Sequence, residues 1–319
     1  MVKLTIAIPT FNRNELLLQS INKLIPQLTS ECKLIVLDNC SPLPVAETLD
    51  KSLSLGERKK VNVFRNGVNV GGNANILRCF EYCESEWVWV LGDDDIVVPE
   101  SISIILSDIQ RHSDCIYFSY SFDLFTNSAE GETKGIKEFA ETMWFPAIIY
   151  ISAGIFRMNM LKTNLWVGYQ YAYSFAPHVA LLFSAFGSET KCFFSRTKLI
   201  NNEHPLSPNF PASLHLMMSL GIGVLLELDS VAVCRSTFAH KLRAIRFGFT
   251  DILRAVAETS ITTGDRRNGL YYYSQVVSRL NATMSLYDKM KFTLGFSTLL
   301  APKWTRMVID FYKQLRSRP

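Results

Sequence analysis

One stretch decides the fold, WVWVLGDDD at residues 87–95. Its first five residues are apolar and β-prone, a pattern typical of a strand that is covered on both faces in a parallel sheet. Gly92 ends the strand, and three adjacent carboxylates follow it. If the chain stays extended, Asp93 and Asp95 share one face and Asp94 points away, because side chains alternate along a strand.

Three adjacent carboxylates at the end of a buried strand repel one another, because the local dielectric is lower than in water. Their ionisation costs stability unless a cation or hydrogen-bond donors offset it. Oxygen-only ligands at a strand end suit Mg²⁺ or Mn²⁺, which also accept substrate phosphate oxygens. The sequence therefore predicts a divalent cation site. The alternative is a solvated acidic turn that leads into a helix at 99–110.

Composition excludes some classes of function. The chain has 319 residues, enough for a sizeable core and two domains. Its net charge of +4 is too small and too dispersed to indicate nucleic acid as a partner. Seven cysteines, an odd number without zinc-ribbon spacing, favour reduced cytosolic thiols. The opening residues do not resemble a signal peptide, because Lys3 is followed at once by a strand-like run.

Strand and helix patterns alternate through the first 120 residues. That alternation predicts an α/β fold with an open, mostly parallel sheet flanked by helices. Ligands on such sheets bind beyond the carboxyl ends of the strands. A loop rich in Gly and Asn at 65–73, before a predicted helix, suits close approach to phosphate or sugar. The polar clusters at these ends are Asn12 with Arg13, Asp38 with Ser41, the loop 65–73, and Asp93 to Asp95.

The second half of the chain changes character near residue 211. Residues 152–157 are predicted as a small-residue turn, and residues beyond 211 as nearly all helix. We therefore expect one domain at 1–210 and a helical region at 211–319. The tail at 288–319 is basic, aromatic and amphipathic, which is typical of a helix at a membrane surface. The alternative is a tail that packs on the protein's own core with its charges solvated.

Four motifs stand in the order and spacing of a known family. They are TIAIPTFNR at 5–13, LDNCS at 37–41, RNGVNVGGNANI at 65–76 and WVLGDDD at 89–95. Together they resemble family 2 glycosyltransferases with the GT-A fold. The resemblance implies a GT-A catalytic domain that transfers a sugar from a nucleotide-diphosphate-sugar donor, with Mn²⁺ or Mg²⁺ on the donor diphosphate.

The resemblance also assigns roles by position. Asp38 would accept a hydrogen bond from the base, Asp93 would face the ribose or sugar, and Asp95 would ligate the metal. Residues 154–157 resemble the acceptor-side turn of the family. The candidate nucleotide-sugar-binding residues are Pro9, Thr10, Asn12, Arg13, Asp38, Ser41, Arg65, Asn69, Gly72, Asn73 and Asp93, and the candidate metal ligands are Asp95 and His204.

The chain departs from the family pattern on the helix that follows this turn. Many inverting members carry a Glu-Asp pair there, whose Asp is the general base, whereas this chain has Pro-His. The variant is similar to O-antigen sugar transferases of the abequosyltransferase type. We expect His178 and Asp94 as catalytic residues, because a histidine of near-neutral pKa can serve as a base. Asp123 and Glu203 are the next candidates for the base, and the alternative for His178 is packing or capping.

These inferences predict a cytoplasmic glycosyltransferase, peripheral on the inner face of the cell membrane, in bacterial surface polysaccharide biosynthesis. A pyrimidine nucleotide donor is expected, since Asp38 can accept from the base, together with a lipid-linked saccharide acceptor. One alternative is a sugar nucleotidyltransferase, which needs a Gly-rich loop after the first strand, and residues 8–11 contain no glycine. The other alternative is a non-catalytic module of the same fold that binds sugar or cation.

Overall fold

The computed structural model of the chain describes residues 2–122, 126–127, 129–174, 176–201 and 225–244, together with Leu286, Met290 and Met307. Contacts divide the chain into two units. The first consists of residues 1–205 and 228–234, and the second is drawn from 206–227 and 235–319. The sheet and the described candidate residues belong to the first unit, and the domain boundary expected at residue 210 stays a prediction.

The described strands fall into two sheets. They are β1 (Leu4–Thr10), β2 (Cys32–Asp38), β3 (Val61–Arg65), β4 (Trp87–Val90), β5 (Ile96–Val97), β6 (Cys115–Ser121), β7 (Gly131–Lys134), β8 (Gly154–Arg157), β9 (Lys191–Lys198) and β10 (Ile200–Asn201). The large sheet has the order β3-β2-β1-β4-β8-β6-β9-β7, and β5 pairs with β10. β1 runs parallel to β2 and β4, and β2 runs parallel to β3. The predicted α/β fold with a mostly parallel sheet is confirmed.

Helices connect these strands. They are α1 (Asn14–Leu24), α2 (Val45–Ser52), α3 (Leu55–Arg58), α4 (Gly72–Glu81), α5 (Ser101–Arg111), α6 (Gly135–Thr142), α7 (Phe145–Ile149), α8 (Met158–Leu161), α9 (Leu165–Gln170), α10 (Pro177–Ser184) and α11 (Arg235–Ala244). A short 3₁₀ turn at Ile151–Ala153 leads from α7 into β8. The apolar spacing of α1 buries Leu17, Ile21 and Leu24 on one face, as the 3.6-residue period requires.

One strand lies where the sequence predicted a turn. Residues 154–157, predicted as a turn, form β8, which runs antiparallel between β4 and β6. Glycine is needed at its start, because a Cβ on Gly154 would lie 2.8 Å from the ring of Tyr117. Four residues are too few to show the two-residue period of a strand, and the small residues at 152–154 are typical of a turn.

The opening stretch of the sequence forms the centre of the sheet. All four residues of β4 are buried, as predicted for a strand covered on both faces. Trp87 stacks on Phe118 of β6 with ring centroids 4.6 Å apart. The indole nitrogen of Trp89 donates a hydrogen bond of 2.8 Å to the carbonyl of Ser152, which gives the buried N–H its partner. β4 is therefore held by packing on both sides and by a polar contact at its carboxyl end.

Several predictions fall outside the described residues. They concern Asp123, Glu203, His204 and most of the helical region expected at 211–319, including nearly all of the tail at 288–319. Within the part of the chain that the structure describes, no helix combines the length and apolarity of a membrane span.

Candidate functional site

The carboxyl ends of three parallel strands bring the predicted polar residues together. Thr10 at the end of β1 stands beside Asp38 at the end of β2, and Asp38 stands beside Arg65 at the end of β3. The acidic residues follow β4, the other neighbour of β1. The structure therefore places the predicted clusters on one edge of the sheet, where parallel α/β sheets bind ligands.

The acidic stretch after β4 is a turn. The amide of Asp95 donates to the carbonyl of Gly92 at 3.2 Å, which closes the turn, and Gly92 is needed because a Cβ there would lie 2.5 Å from Oδ2 of Asp95. The extended arrangement predicted from sequence is wrong in consequence. Asp94 does not point away from Asp93, because both carboxylates bind the guanidinium of Arg13.

Asp93 lies inside the site and is held by two donors. Thr10 Oγ1 donates to Oδ2 at 2.7 Å, and Arg13 Nη1 donates to Oδ1 at 2.8 Å. Asp93 is 5% exposed, and this burial raises its pKa to about 6 against the opposing effects of Thr10 and Arg13. Asp94 binds Arg13 Nη2 at 2.5 Å, and its side chain is one-third exposed. Asp93 is therefore the inner carboxylate of the pair and Asp94 the outer one.

Asp95 makes a separate set of contacts. Its carboxylate accepts from the hydroxyls of Tyr150 and Ser152, and its backbone carbonyl accepts from Ser20 Oγ at 2.8 Å. It is 4% exposed, and burial raises its pKa although the two hydroxyls lower it. Among the residues that the structure describes, no Lys or Arg lies at ion-pair distance from Asp95, and the charge of Arg13 acts on it only from farther away.

The acidic turn fits a hard divalent cation by the chemistry of its donors. A carboxylate offers about four lone-pair sites, and the two hydroxyls on Asp95 use two of them. A buried carboxylate without a cationic partner is costly, and a divalent cation with oxygen ligands offsets that cost. Asp94 adds a second carboxylate that is open to solvent. These two residues are the ones that would hold a cation.

Asp38 is buried and serves its own loop. Its carboxylate accepts from the amides of Ser41 at 2.8 Å and Val45 at 3.3 Å, and from the guanidinium of Arg65. Burial alone would raise the pKa of Asp38, but the hydrogen bonds from Ser41, Arg65 and Val45 lower it. Asp38 is therefore held in its carboxylate form, and its hydrogen bonds keep the turn after β2 in place. Its contact with a nucleotide base stays a prediction.

Asparagine side chains hold the Gly-rich loop in place. Asn39 Nδ2 donates to Asn69 Oδ1 at 2.8 Å, and Asn66 Nδ2 donates to Asn39 Oδ1 at 3.0 Å. Asn73 Nδ2 donates to the carbonyl of Ala172 at 2.7 Å. Of these two predicted donor-site residues, Asn69 is thus engaged between the turn after β2 and the loop, whereas Asn73 ties the loop to residue 172. Gly72 opens α4, and a Cβ there would meet no atom within 4 Å, so the backbone at this helix start is open.

The turn after β1 contains Asn12, which was predicted, and Phe11, which the sequence analysis missed. Asn12 has a φ of 55°, and its amide donates to Ser41 Oγ at 2.9 Å, which ties the turns after β1 and β2 together. Left-handed backbone at a residue other than glycine is typical of functional sites. Phe11, beside it, is 42% exposed. The signal in the sequence was a large apolar residue among polar turn residues. Pro9 lies in β1 itself, one residue before Thr10.

The structure places His178 in the core. It is 2% exposed, Nε2 donates to the carbonyl of Ile148 at 3.0 Å, and its ring meets the ring of Phe156 edge to face. Burial lowers its pKa to about 4. No described hydrogen bond or ion pair joins His178 to the acidic turn. The contacts match the packing alternative, and the general-base role stays a prediction.

A second acidic group lies elsewhere in the sheet. Ligand atoms of Asp114, Cys115 and Glu132 lie within 4.8 Å of one another. Lys191 pairs with Asp114 at 2.6 Å and with Glu132 at 3.3 Å, and His112 also binds Glu132. Burial raises the pKa of the Cys115 thiol to about 12. Lys191 is thus a cationic partner of both carboxylates in this group.

Two curated proteins are similar to part of this chain. Abequosyltransferase RfbV of Salmonella typhimurium is 25% identical over 113 residues, which are 35% of this chain and 34% of that protein. The chain spans about a third of the length of the curated relatives that it matches. This similarity leaves about two thirds of each protein uncompared.

Two solved structures share the fold. Residues 1–349 of S. aureus TarS, in complex with UDP-GlcNAc, give a TM-score of 0.59 at 16% identity, with 96% of this chain and 92% of that chain covered. The mannosyltransferase PcManGT from Pyrobaculum calidifontis, in complex with GDP-Man and Mn²⁺, gives a TM-score of 0.51 at 9% identity, with 96% and 87% covered. The predicted GT-A fold is thereby confirmed. Residues 5–166, half of the chain, match the family model Glycosyl transferase family 2, and the protein therefore belongs to that family.

Proposed function

We propose that this protein transfers a sugar from a nucleotide-diphosphate-sugar donor to a saccharide acceptor. The observation that carries the proposal is the cluster of Thr10, Arg13, Asp93 and Asp94 at the carboxyl ends of β1 and β4. It lies within the residues that match the family model. A cation-binding acidic turn beside a half-exposed guanidinium provides what a donor diphosphate needs, a site that compensates negative charge.

The leaving group of such a reaction is a nucleoside diphosphate, whose charge grows as the glycosidic bond breaks. Arg13 can bind its oxygens from the edge of the site, because its side chain is 43% exposed. Asp94 and Asp95 would hold Mn²⁺ or Mg²⁺, and the bound cation supplies further electrostatic stabilisation of the diphosphate. The Mn²⁺ in the PcManGT complex supports this choice of ion.

The nucleotide base is the part of the donor that the turns after β1 and β2 would bind. Phe11 offers an exposed aromatic face, on which any base can stack. We favour a pyrimidine, because Asp38 can accept from the N3–H of uracil or thymine or the amino group of cytosine, although its present partners are Ser41, Val45 and Arg65. The UDP-GlcNAc bound to TarS supports a nucleotide sugar as ligand.

We extend the proposal to the chemical class of the acceptor. The tail at 288–319 holds seven Lys or Arg residues against two Asp, interleaved with Phe, Leu and Trp. Such a composition favours an anionic membrane surface. We propose a lipid-linked saccharide acceptor in surface polysaccharide synthesis, with the protein in the cytoplasm on the inner face of the membrane. The similarity to an abequosyltransferase supports a sugar-transfer step.

A thermal-shift screen tests the donor. The purified chain is heated with UDP-, dTDP-, CDP- and GDP-sugars in Mn²⁺, since a ligand that binds only the folded state raises the melting temperature. We expect a pyrimidine nucleotide sugar to give the largest shift, and Arg13→Ala to lose most of it. Asp50→Asn, which removes the surface ion pair with Arg58, is the matched control and should keep the shift. A wild-type protein that no nucleotide sugar stabilises would contradict the proposal.

A further inference from the structure

A short segment outside the four sequence motifs forms hydrogen bonds with the acidic turn. Residues 148–152, here called the strap, run from the end of α7 into the 3₁₀ turn before β8. Within the strap, the hydroxyls of Tyr150 and Ser152 both donate to the carboxylate of Asp95. Ser152 Oγ also accepts from the amide of Gly92 at 2.9 Å. One serine hydroxyl thus contacts both ends of the turn from Gly92 to Asp95.

The strap is itself fixed from three sides. Trp89 Nε1 donates to the carbonyl of Ser152 at 2.8 Å, and His178 Nε2 donates to the carbonyl of Ile148 at 3.0 Å. Both donors are buried side chains of the core. The ring of Tyr150 stacks on Phe122 with centroids 4.3 Å apart. The donors that hold Asp95 therefore sit on a segment whose own position is set by the core.

This arrangement restricts the orientation of one carboxylate. A carboxylate can rotate about its Cβ–Cγ bond, and two hydrogen bonds from different side chains fix its plane. The bonds occupy part of the oxygen lone pairs and leave the remainder for a cation. Groups that orient a metal ligand in this way contribute about 10–100-fold to metal affinity.

We propose that Tyr150 and Ser152 are positioning residues, which orient Asp95 toward a divalent cation, and that His178 holds their strap from the core. The inference rests on the proposed function, since it takes Asp95 as a cation ligand. In this proposal, His178 supports the site by holding the strap and does not contact the substrate. The strap is a feature of tertiary structure, because Asp95 and Tyr150 are 55 residues apart in the chain.

The test uses Tyr150→Phe and Ser152→Ala in the full chain, with Tyr120→Phe as a matched control. Tyr120 also donates its hydroxyl to a buried aspartate, Asp108, at 2.8 Å, but outside the strap. One readout is hydrogen exchange of the peptide that spans 89–97, measured without ligand. The other is Mn²⁺ affinity in the presence of UDP, measured by electron paramagnetic resonance.

We expect faster exchange at 89–97 and Mn²⁺ binding weakened about 10–100-fold in the two strap variants, with neither change in Tyr120→Phe. Unchanged exchange in both strap variants would overturn the inference, and so would faster exchange with unchanged Mn²⁺ affinity. If the wild-type chain binds no Mn²⁺ with UDP, the proposed cation site fails. The exchange readout then still decides whether the strap orders the turn.

Discussion

Arg13 and Asp93 stand 80 residues apart in the sequence, yet Nη1 of Arg13 lies 2.8 Å from Oδ1 of Asp93. Arg13 immediately precedes α1, which follows β1, and Asp93 follows β4, the parallel neighbour of β1. Parallel strands end at the same edge, so the pairing of β1 with β4 is what brings the two charges together. The same guanidinium reaches Asp94, and one cationic side chain thus joins the turn after β1 to the acidic turn.

Asp93 should reduce the stability of the folded protein at neutral pH. Its folded pKa of about 6 lies above the ordinary value of 3.8, because it is buried. Asp93 therefore does not oppose folding below pH 3.8, where its carboxyl is protonated in both the folded and the unfolded state. The free energy of unfolding then falls as pH rises through 6. We expect Asp93→Asn to raise the free energy of unfolding by about 1–3 kcal/mol at pH 8, and by less at pH 5.

The same substitution should weaken donor binding, because it removes one of the two carboxylates that orient Arg13. Urea unfolding at both pH values, together with nucleotide titration, separates these effects. Asp50→Asn, at an exposed ion pair, is the control for a carboxylate whose replacement should change little. An Asp93→Asn protein less stable than wild type at pH 8 would show that the carboxylate stabilises the fold.

Gly92 should tolerate no side chain. A Cβ at this position would lie 2.5 Å from Oδ2 of Asp95, so Gly92→Ala must displace the carboxylate or open the turn. We expect a loss of about 1–3 kcal/mol in the free energy of unfolding, with weaker Mn²⁺ binding. Gly56→Ala is the control, because a Cβ there meets nothing within 4 Å. Equal Mn²⁺ affinity in Gly92→Ala and wild type would mean that the turn is not the cation site.

His178 gives a prediction that distinguishes a general base from a positioning residue. A lost base reduces kcat by about 10²-fold or more and leaves metal affinity unchanged. A lost anchor for the strap weakens Mn²⁺ affinity, and we expect this second pattern for His178→Leu. Steady-state kinetics with Mn²⁺ titrated in each variant separates the two. A well-folded His178→Leu protein with wild-type Mn²⁺ affinity and a 10²-fold lower kcat would establish the base.

The pH dependence of stability offers an independent check on His178. Burial lowers its pKa to about 4 from the ordinary 6.5. The neutral ring therefore stabilises the fold above pH 6.5, and this contribution is lost as pH falls from 6.5 toward 4. His178→Leu should lack that part of the acid-induced loss when melting temperatures are compared over this range.

Much of the sheet and part of the site follow from local sequence. The apolar run before Gly92 identifies β4, and the alternation of strands and helices places Thr10, Asp38 and Asp93 at one edge. These inferences depend on neighbours in sequence or on the general rule for parallel sheets.

The rest depends on contacts between distant segments. The spacing of the three aspartates suggested an extended strand, whereas the hydrogen bond from Asp95 to Gly92 makes a turn. Nothing near Tyr150 or Ser152 indicates that they bind Asp95, because a long-range contact leaves no period in the sequence. The burial of His178 could not be predicted either, since a histidine at a helix start gives the same sequence pattern whether it faces solvent or the core.

The tail should bind membranes without contributing to donor binding. Deletion of 288–319 removes seven basic residues together with the apolar side chains between them. We expect weaker sedimentation with anionic vesicles and unchanged nucleotide affinity, because apolar burial and attraction to anionic lipid act together. Neutral vesicles provide the control. Equal sedimentation of the full-length and truncated chains with anionic vesicles would contradict the proposed membrane surface.

Release of nucleoside diphosphate from the donor found in the screen tests the central claim most directly. The wild-type chain is assayed in Mn²⁺ and in excess EDTA, beside Asp95→Asn, which keeps the volume of the side chain but removes its charge. We predict release that requires Mn²⁺ and collapses in Asp95→Asn, because the cation stabilises the departing diphosphate. Full activity of Asp95→Asn, or equal activity of the wild-type chain in EDTA, would contradict it.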